Sequence, residues 1–181
     1  MKEKIVIFGI APCLEEDVEN LAKILDLDSC DFMAVGLDAV TRLSGRPIQH
    51  MATYHVEELS QFRLIRQKNQ ENLNYKTHSH KQPKNGEQAD YIWPLVARSP
   101  FSGSSSLLGC QAAIGLGYKK IILCGCPMQG LNNRMKRPTS YDKFQKGWVK
   151  FAPQMFGDKV RSMSGWTREF LGCSTEEWLQ V

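Results

Sequence analysis

The chain has 181 residues, a formal net charge of +4 and 42% hydrophobic residues, which is typical of a single globular domain. This composition excludes a disordered chain, and no apolar run approaches the roughly 20 residues that a membrane-spanning helix requires. The mild positive charge favours a small anionic ligand, but it is too low to indicate specific binding of nucleic acid.

Six cysteines are present, and we expect all of them to be reduced thiols. Cys110, Cys124 and Cys126 lie in apolar stretches, where cysteine behaves as a small buried hydrophobe. A single residue separates Cys124 from Cys126, whereas zinc-binding pairs are typically separated by about two to four, so no metal site is predicted. The first residues lack the architecture of a signal peptide, which favours a cytoplasmic protein.

The first half of the chain alternates between short apolar segments and helical patterns. Short, largely apolar segments bounded by turn residues predict strands over 4–9, 31–36 and 49–54. The helical spacing of apolar residues predicts helices over 14–27, 37–43 and 56–67. Residues 68–88 are dominated by polar side chains, and we predict that they form a polar insertion or flexible loop within the single domain.

The second half contains the most regular part of the sequence. The apolar segment 92–96 contains a proline, which favours an edge strand or irregular structure. A serine-rich turn over 102–106 precedes a predicted helix over 107–116, and a strand is predicted over 121–125. The remaining predictions are a loop over 131–140, a helix over 142–156, a turn or short strand over 160–165 and short helices over 167–171 and 176–179.

Strands that alternate with helices and stop at glycine or polar turns are typical of an open, mostly parallel α/β sheet. We therefore predict a single Rossmann-like domain, in which helices flank the sheet. Ligands of such sheets bind beyond the carboxyl ends of the strands. The candidate ligand-binding residues in the turns at this edge are Gly9, Ala11, Cys13, Gly36, Asp38, His55, Ser104, Ser105, Ser106 and Gly125.

Three of these turns are compatible with chemistry as well as with a structural role. The turn from Gly9 to Cys13 could present N–H groups to a phosphate or be a plain turn, and it lacks the dinucleotide and P-loop glycine patterns. The serines at 104–106 could cap a helix or contact an anion, and no GxSxG nucleophile motif is present. His55 could act as a general base or contact a ribose or phosphate, or it could simply face solvent.

Basic residues follow the later strands: Arg134, Lys136, Arg137, Lys159 and Arg161. They could neutralise a phosphate near the strand ends or be solvated, and Arg161 is a binding candidate together with Ser162 and Ser164 in the turn beside it. His78 and His80 form a His-x-His pair without a third predicted ligand, so we expect them to lie in a solvated loop.

Two segments resemble a group of bacterial and archaeal proteins. The segment 104–128, SSSLLGCQAAIGLGYKKIILCGCPM, is similar to the helix–strand unit of bacterial lipooligosaccharide sialyltransferases, motility-accessory-factor glycosyltransferases and hydroxymethylpterin pyrophosphokinase-like proteins. IVIFGIAPCLEE at 5–16 resembles their phosphate-side loop. Thr53-Tyr54-His55 and VRSMSGWT at 160–167 resemble prophage-encoded relatives of unassigned activity, to which the chain is most similar.

The resemblance implies a Rossmann-like site for a nucleotide or nucleotide sugar. Carried over by position, Gly9, Ala11 and Cys13 would face the phosphates. Gly36 and His55 would occupy positions of asparagines that hold the nucleotide, and the serines at 104–106 would line the ligand through the start of their helix.

The chain also departs from the pattern of the transferases. Ile10, Ser106 and Pro127 replace an asparagine, a glycine and an aspartate of the group, and no histidine follows Pro127, where the transferases carry a catalytic one. We therefore expect a nucleotide- or nucleotide-sugar-binding protein, glycosyltransferase-like in fold, and leave open whether it is an enzyme.

The alternatives are a non-catalytic prophage accessory or assembly protein and an ATP-dependent pyrophosphoryl transferase, for which Asp38 is the acidic residue nearest the site. No cofactor is assigned beyond this ligand, and a homo-oligomer is compatible with the sequence.

Overall fold

The computed structural model describes residues 2–43, 45–95, 104–130 and 138–180. Within them the strands are β1 (Lys4–Phe8), β2 (Asp31–Ala34), β3 (His50–Ala52), β4 (Lys76–Ser79), β5 (Tyr91–Ile92), β6 (Lys120–Cys124) and β7 (Val160–Ser162). The helices are α1 (Leu14–Ala22), α2 (Leu37–Arg42), α3 (Leu59–Lys68), α4 (Ser105–Gly115), α5 (Pro138–Phe156), α6 (Gly165–Leu171) and α7 (Glu176–Gln180). Single turns of 3₁₀-helix cover Leu27–Ser29 and Val56–Glu58.

The strands form one sheet in the order β5-β4-β3-β2-β1-β6-β7, and every pairing between them is parallel. The predicted Rossmann-like α/β fold is therefore confirmed. The chain adds β2 to β5 on one side of β1 and then crosses to the other side for β6 and β7. This reversal opens a crevice between β1 and β6 at the carboxyl edge of the sheet, where ligands of such folds bind.

Helices cover both faces of the sheet because alternate residues of each strand enter opposite cores. Val6 and Phe8 of β1 pack on the face that α1, α2, α3 and α7 cover. Ile5 and Ile7 pack on the other face, against α4 and α5. The helices therefore fix the strand ends on both sides of the crevice.

The prediction of one polar insertion or loop over 68–88 is wrong for the residues that form β4. Thr77, His78 and Ser79 are buried in the sheet, although the sequence analysis expected His78 in a solvated loop. Their polar groups find partners inside the fold: for example, the Ser79 hydroxyl donates a hydrogen bond of 2.7 Å to the Thr53 carbonyl. β5 then forms the edge of the sheet. The segment 92–96, predicted to be an edge strand or irregular, contributes Ile92 to this strand; residues 93–95 are irregular, and residue 96 lies outside the described residues.

All six cysteines are free thiols, as expected. Across the described ranges, no helix combines the length and apolar character needed to cross a membrane.

Candidate functional site

A cavity of about 640 Å³ opens at the carboxyl edge of the sheet, over the reversal between β1 and β6. Small-molecule sites typically have volumes of roughly 300–1,000 Å³. The turns after β1, β2, β3 and β6, the first residues of α4 and part of α5 form its walls. The cavity brings together most of the predicted site residues: Gly9, Ala11, Gly36, Asp38, His55, Ser104, Ser105, Ser106 and Gly125.

The turn after β1 is held by its own backbone hydrogen bonds. The Gly9 N–H donates to the Cys124 carbonyl at 2.8 Å, and the Ala11 N–H donates to the Gly125 carbonyl at 3.1 Å. A Cβ atom at Gly9 would lie 2.2 Å from the Gly125 oxygen, so the close approach of the two strand ends requires glycine. Both N–H groups are occupied within the fold and are not available to a phosphate.

Arg42 anchors the same turn, although the sequence analysis did not single it out. Its Nη1 donates to the carbonyls of Ile10 at 3.0 Å and Ala11 at 2.9 Å, and its Nε donates to Glu15 at 2.6 Å. The side chain of Arg42 therefore neutralises an acidic residue at the start of α1 and caps the turn beneath the cavity.

Cys13 and Ser164 lie behind the cavity, in a cluster around Asp17. The buried Asp17 carboxylate accepts hydrogen bonds of 2.7 Å from the Gly125 N–H and from the Ser164 hydroxyl. The Cys13 thiol lies 3.2 Å from the same hydroxyl. Burial raises the pKa of both Asp17 and Cys13, which disfavours a reactive thiolate. The cluster joins α1 to the end of β6 and the start of α6.

The remaining candidates of the C-terminal segment do not line the cavity either. Arg161 donates to the Leu171 carbonyl at 2.6 Å, and its guanidinium lies 5.8 Å from the centre of the Trp178 ring. The Ser162 hydroxyl is buried and lies 2.9 Å from the Thr167 hydroxyl. These contacts tie β7 to α6 and α7.

The serines at the start of α4 form one wall of the cavity. Ser104 is the N-cap residue, and its hydroxyl accepts hydrogen bonds of 3.2 Å from the Leu107 N–H and from the Trp148 indole. The Ser105 hydroxyl accepts a bond of 3.3 Å from the Tyr54 N–H. The N–H groups of Ser105 and Ser106 belong to the first turn of the helix, where no intrahelical acceptor exists. This wall therefore offers hydrogen-bond donors and the positive end of a helix dipole.

Acidic residues and a histidine line other walls. Asp38 is exposed in the first turn of α2, and Glu58 accepts a hydrogen bond of 3.1 Å from the Thr53 hydroxyl. The His55 side chain is 66% exposed, and its Nδ1 lies 3.4 Å from the Glu57 carboxylate. Glu58 lines the cavity and was not predicted from the sequence, because only the fold shows which side of the turn faces the cavity. Glu57 contacts His55 but does not line the cavity.

Aromatic and aliphatic side chains complete the cavity. Tyr141 and Phe144 of α5 lie edge to face, with ring centres 6.4 Å apart, and both line the cavity together with Tyr54. Burial raises the pKa of Tyr54 to about 12, so its phenol is neutral at physiological pH. The cavity therefore combines an apolar wall with a few polar groups, the usual composition of a small-molecule site.

Among the described residues that line the cavity, none is a lysine or an arginine. Three of the predicted basic candidates, Arg134, Lys136 and Arg137, lie outside the described residues, as do Ser102 and Gly103 of the serine-rich turn. The described ranges also contain no cluster of three or more side chains that could hold a metal ion.

Comparison with models of known protein families gives no match, and neither the curated proteins nor the solved structures contain a match to this chain. The resemblance to the sialyltransferase group accordingly stays a prediction from the sequence.

Proposed function

We propose that the protein binds a nucleotide or nucleotide sugar in the cavity between β1 and β6. The observation that carries this proposal is the position of the cavity at the reversal of strand order, between the start of α4 and the carboxylate of Asp38. Nucleotides bind at this position in doubly wound sheets.

The nucleoside would lie between the second strand and α5. In doubly wound sheets, an acidic side chain that follows an early strand accepts hydrogen bonds from the ribose hydroxyls. Asp38 has this position after β2 and is exposed to the cavity. Tyr141 and Phe144 offer the apolar surface on which a base would pack.

The phosphate would bind at the start of α4 instead of the turn after β1. Backbone N–H groups and the helix dipole make the first turn of a helix a common site for anions. The N–H groups of Ser105 and Ser106 meet this requirement, whereas those of Gly9 and Ala11 are already bonded to β6. The resemblance alone would assign the phosphate to the turn after β1, so the hydrogen bonds change the expected contact.

For a transfer reaction, His55 is the general base that we propose. Glu57 lies beside Nδ1 of His55 and can accept a hydrogen bond from its N–H. This bond would orient the ring and leave Nε2 as the basic nitrogen. His55 would take the proton of an acceptor hydroxyl as its oxygen bonds to the anomeric carbon of the sugar. The bond from that carbon to the phosphate oxygen would break, and the N–H groups of α4 would stabilise the charge on the leaving phosphate.

Binding can be tested by titration calorimetry and thermal shift with CMP, UDP, GDP, ATP and their sugars. We expect at least one of them to stabilise the protein, by about 2.7 kcal/mol when its concentration is about 100 times Kd. The substitution Asp38→Asn should weaken that ligand at least tenfold, because it removes an ionised acceptor. Asp28→Asn is the matched control, since Asp28 is exposed and does not line the cavity.

The proposal fails if no compound of the panel stabilises the protein at millimolar concentration, or if Asp38→Asn binds as tightly as the unmodified protein. Binding without turnover of the nucleotide sugar would support the non-catalytic alternative and would remove the role of His55 as a base.

A further inference from the structure

A chain of hydrogen-bonded side chains runs through the sheet, away from the cavity. The Trp93 indole donates to Nδ1 of His78 at 3.1 Å, and Nε2 of His78 lies 3.1 Å from Nδ1 of His50. Nε2 of His50 lies 3.0 Å from the Tyr118 hydroxyl, which donates to Asp31 at 2.6 Å. The chain connects the segment after β5 to β4, β3 and β2, so it spans half of the sheet.

The chemistry of its two ends fixes the direction of every bond in this chain. An indole N–H can only donate, so Nδ1 of His78 must accept and the proton of this ring must lie on Nε2. That proton is donated to Nδ1 of His50, whose own proton then lies on Nε2 and is donated to Tyr118. Both imidazoles are therefore neutral, each in a single tautomer, and the last bond ends on the carboxylate of Asp31.

A third proton on the two imidazoles is incompatible with this arrangement. If Nδ1 of His78 is protonated, it faces the indole N–H of Trp93. If Nδ1 of His78 is not protonated, the other three ring nitrogens all carry protons. The protonated Nε2 of His78 then faces the protonated Nδ1 of His50. Two donors therefore oppose each other wherever the proton goes, and one link must break.

Trp93 is the member of the chain that can move at the lowest cost. It follows the two-residue strand β5 at the edge of the sheet and is only partly buried, whereas His78 is completely buried. Its backbone N–H donates to the Ser79 carbonyl at 2.8 Å, and its ring lies directly against Gly115 of α4, where a Cβ atom would be 2.2 Å away. When the additional proton lies on Nδ1 of His78, this N–H and the indole N–H of Trp93 are the two opposing donors. The bond to Trp93 is then the link that breaks.

We propose that the chain is an acid-sensitive latch, which holds β5 and Trp93 on the edge of the sheet until the His50–His78 pair takes up a proton. Release of Trp93 uncovers the outer edge of β4 and the surface of α4 at Gly115. This role does not depend on the ligand of the cavity.

The charged groups around the pair are consistent with a latch that is closed at neutral pH. Burial lowers the pKa of His78 to about 3, with a further contribution from His50, while Asp90 acts in the opposite direction. Burial also lowers the pKa of His50, against the attraction of Asp31. Asp90 is itself paired with Lys76 at 3.2 Å, which weakens its effect on His78.

The latch can be tested by following the indole signal of Trp93 in ¹⁵N NMR spectra while the pH is lowered from 7.5 until the protein unfolds, with Trp93→Phe used for assignment. We expect the signal to move reversibly to the position of a solvated indole in acid. His78→Asn should hold the signal in place, because its amide oxygen can accept from Trp93 but takes up no proton. His80→Asn is the matched control and should show the transition of the unmodified protein, because His80 is not part of the chain.

The latch is refuted if the indole signal stays in place until the whole sheet unfolds, or if His78→Asn shows the same transition. Imidazole ¹⁵N shifts of the unmodified protein give a second measurement that does not depend on the folding of a variant. They should show two neutral single-tautomer rings at pH 7.5 that become charged together with the movement of Trp93. Movement of Trp93 while both rings stay neutral would also refute the latch.

Discussion

Gly9 lies where the ends of β1 and β6 approach each other, directly under the cavity. A methyl group at this position would lie 2.2 Å from the Gly125 oxygen and 2.6 Å from the Cys126 sulfur. Neither neighbour can move freely, because Gly125 is bonded to Asp17 and Cys126 is buried. We expect Gly9→Ala to lower the free energy of unfolding by about 1–3 kcal/mol, measured by urea denaturation.

Gly130→Ala is the control for this substitution. Gly130 is exposed, and a Cβ atom there would have no neighbour within 4 Å. A loss of stability that is equal in the two variants would show that the contact with β6 is not the cause. A Gly9→Ala protein of unchanged stability would contradict the close contact of Gly9 with Gly125 and Cys126.

At the scale of elements, β4 depends on polar partners that come from other parts of the chain. The Asp90 carboxylate accepts hydrogen bonds from the N–H of Thr77 at 2.8 Å and from its hydroxyl at 2.9 Å. Asp90 lies directly before β5, so this carboxylate joins the last two strands of the sheet. Without it, the buried Thr77 would keep an unsatisfied donor.

Asp90→Ala should therefore destabilise the β4–β5 edge more than the centre of the sheet. We expect a loss of about 1–2 kcal/mol in global stability, because the carboxylate is partly exposed and solvent replaces some of its bonds. Hydrogen exchange should accelerate in β4 and β5 and remain slow in β1 and β6. Asp28→Ala controls for the loss of an acidic side chain, and uniform acceleration over all strands would contradict the local role of Asp90.

Sequence patterns predict well the elements that become buried without polar partners from distant parts of the chain. β1 and β6 are apolar on both faces, so hydropathy alone indicates buried strands. β4 is not predicted in this way, because Thr77, His78 and Ser79 are polar. Their hydrogen-bond partners in the folded protein are Asp90, His50 and Thr53, which lie elsewhere in the chain. No local sequence pattern therefore indicates that this segment is buried.

The candidate site likewise has features that the sequence predicts and features that depend on the folded structure. The rule that ligands bind beyond the strand ends locates the cavity, and it identifies Asp38 and His55 as candidates. It does not separate the hydroxyls and N–H groups that face the cavity from those that the fold already uses. Cys13 and Gly9 have the right positions in the chain, but the hydrogen bonds of the folded protein engage Cys13 with Ser164 and Gly9 with β6.

At the scale of the whole molecule, the buried imidazoles make stability depend on pH. Burial lowers the pKa of His78 from its ordinary value of 6.5 to about 3. Below pH 6.5 the unfolded chain therefore binds more protons than the folded protein, and the free energy of unfolding falls with falling pH. The buried Asp17 acts in the opposite direction, because its raised pKa makes the folded protein take up this proton at a higher pH than the unfolded chain does.

We expect the free energy of unfolding to fall between pH 7 and pH 5, and the contribution of His78 to this fall is at most about 2 kcal/mol. Each pH unit below 6.5 contributes about 1.4 kcal/mol while His78 stays neutral in the folded protein. The fall should level off where the latch opens, because a released pair binds protons as readily as the unfolded chain does. Urea denaturation at half-unit steps of pH measures the curve. His78→Asn should flatten it more than His80→Asn does, because burial lowers the pKa of His80 as well but His80 is only partly buried. A stability that is constant from pH 7 to pH 5 in the unmodified protein would show that His78 is not held neutral in the folded state.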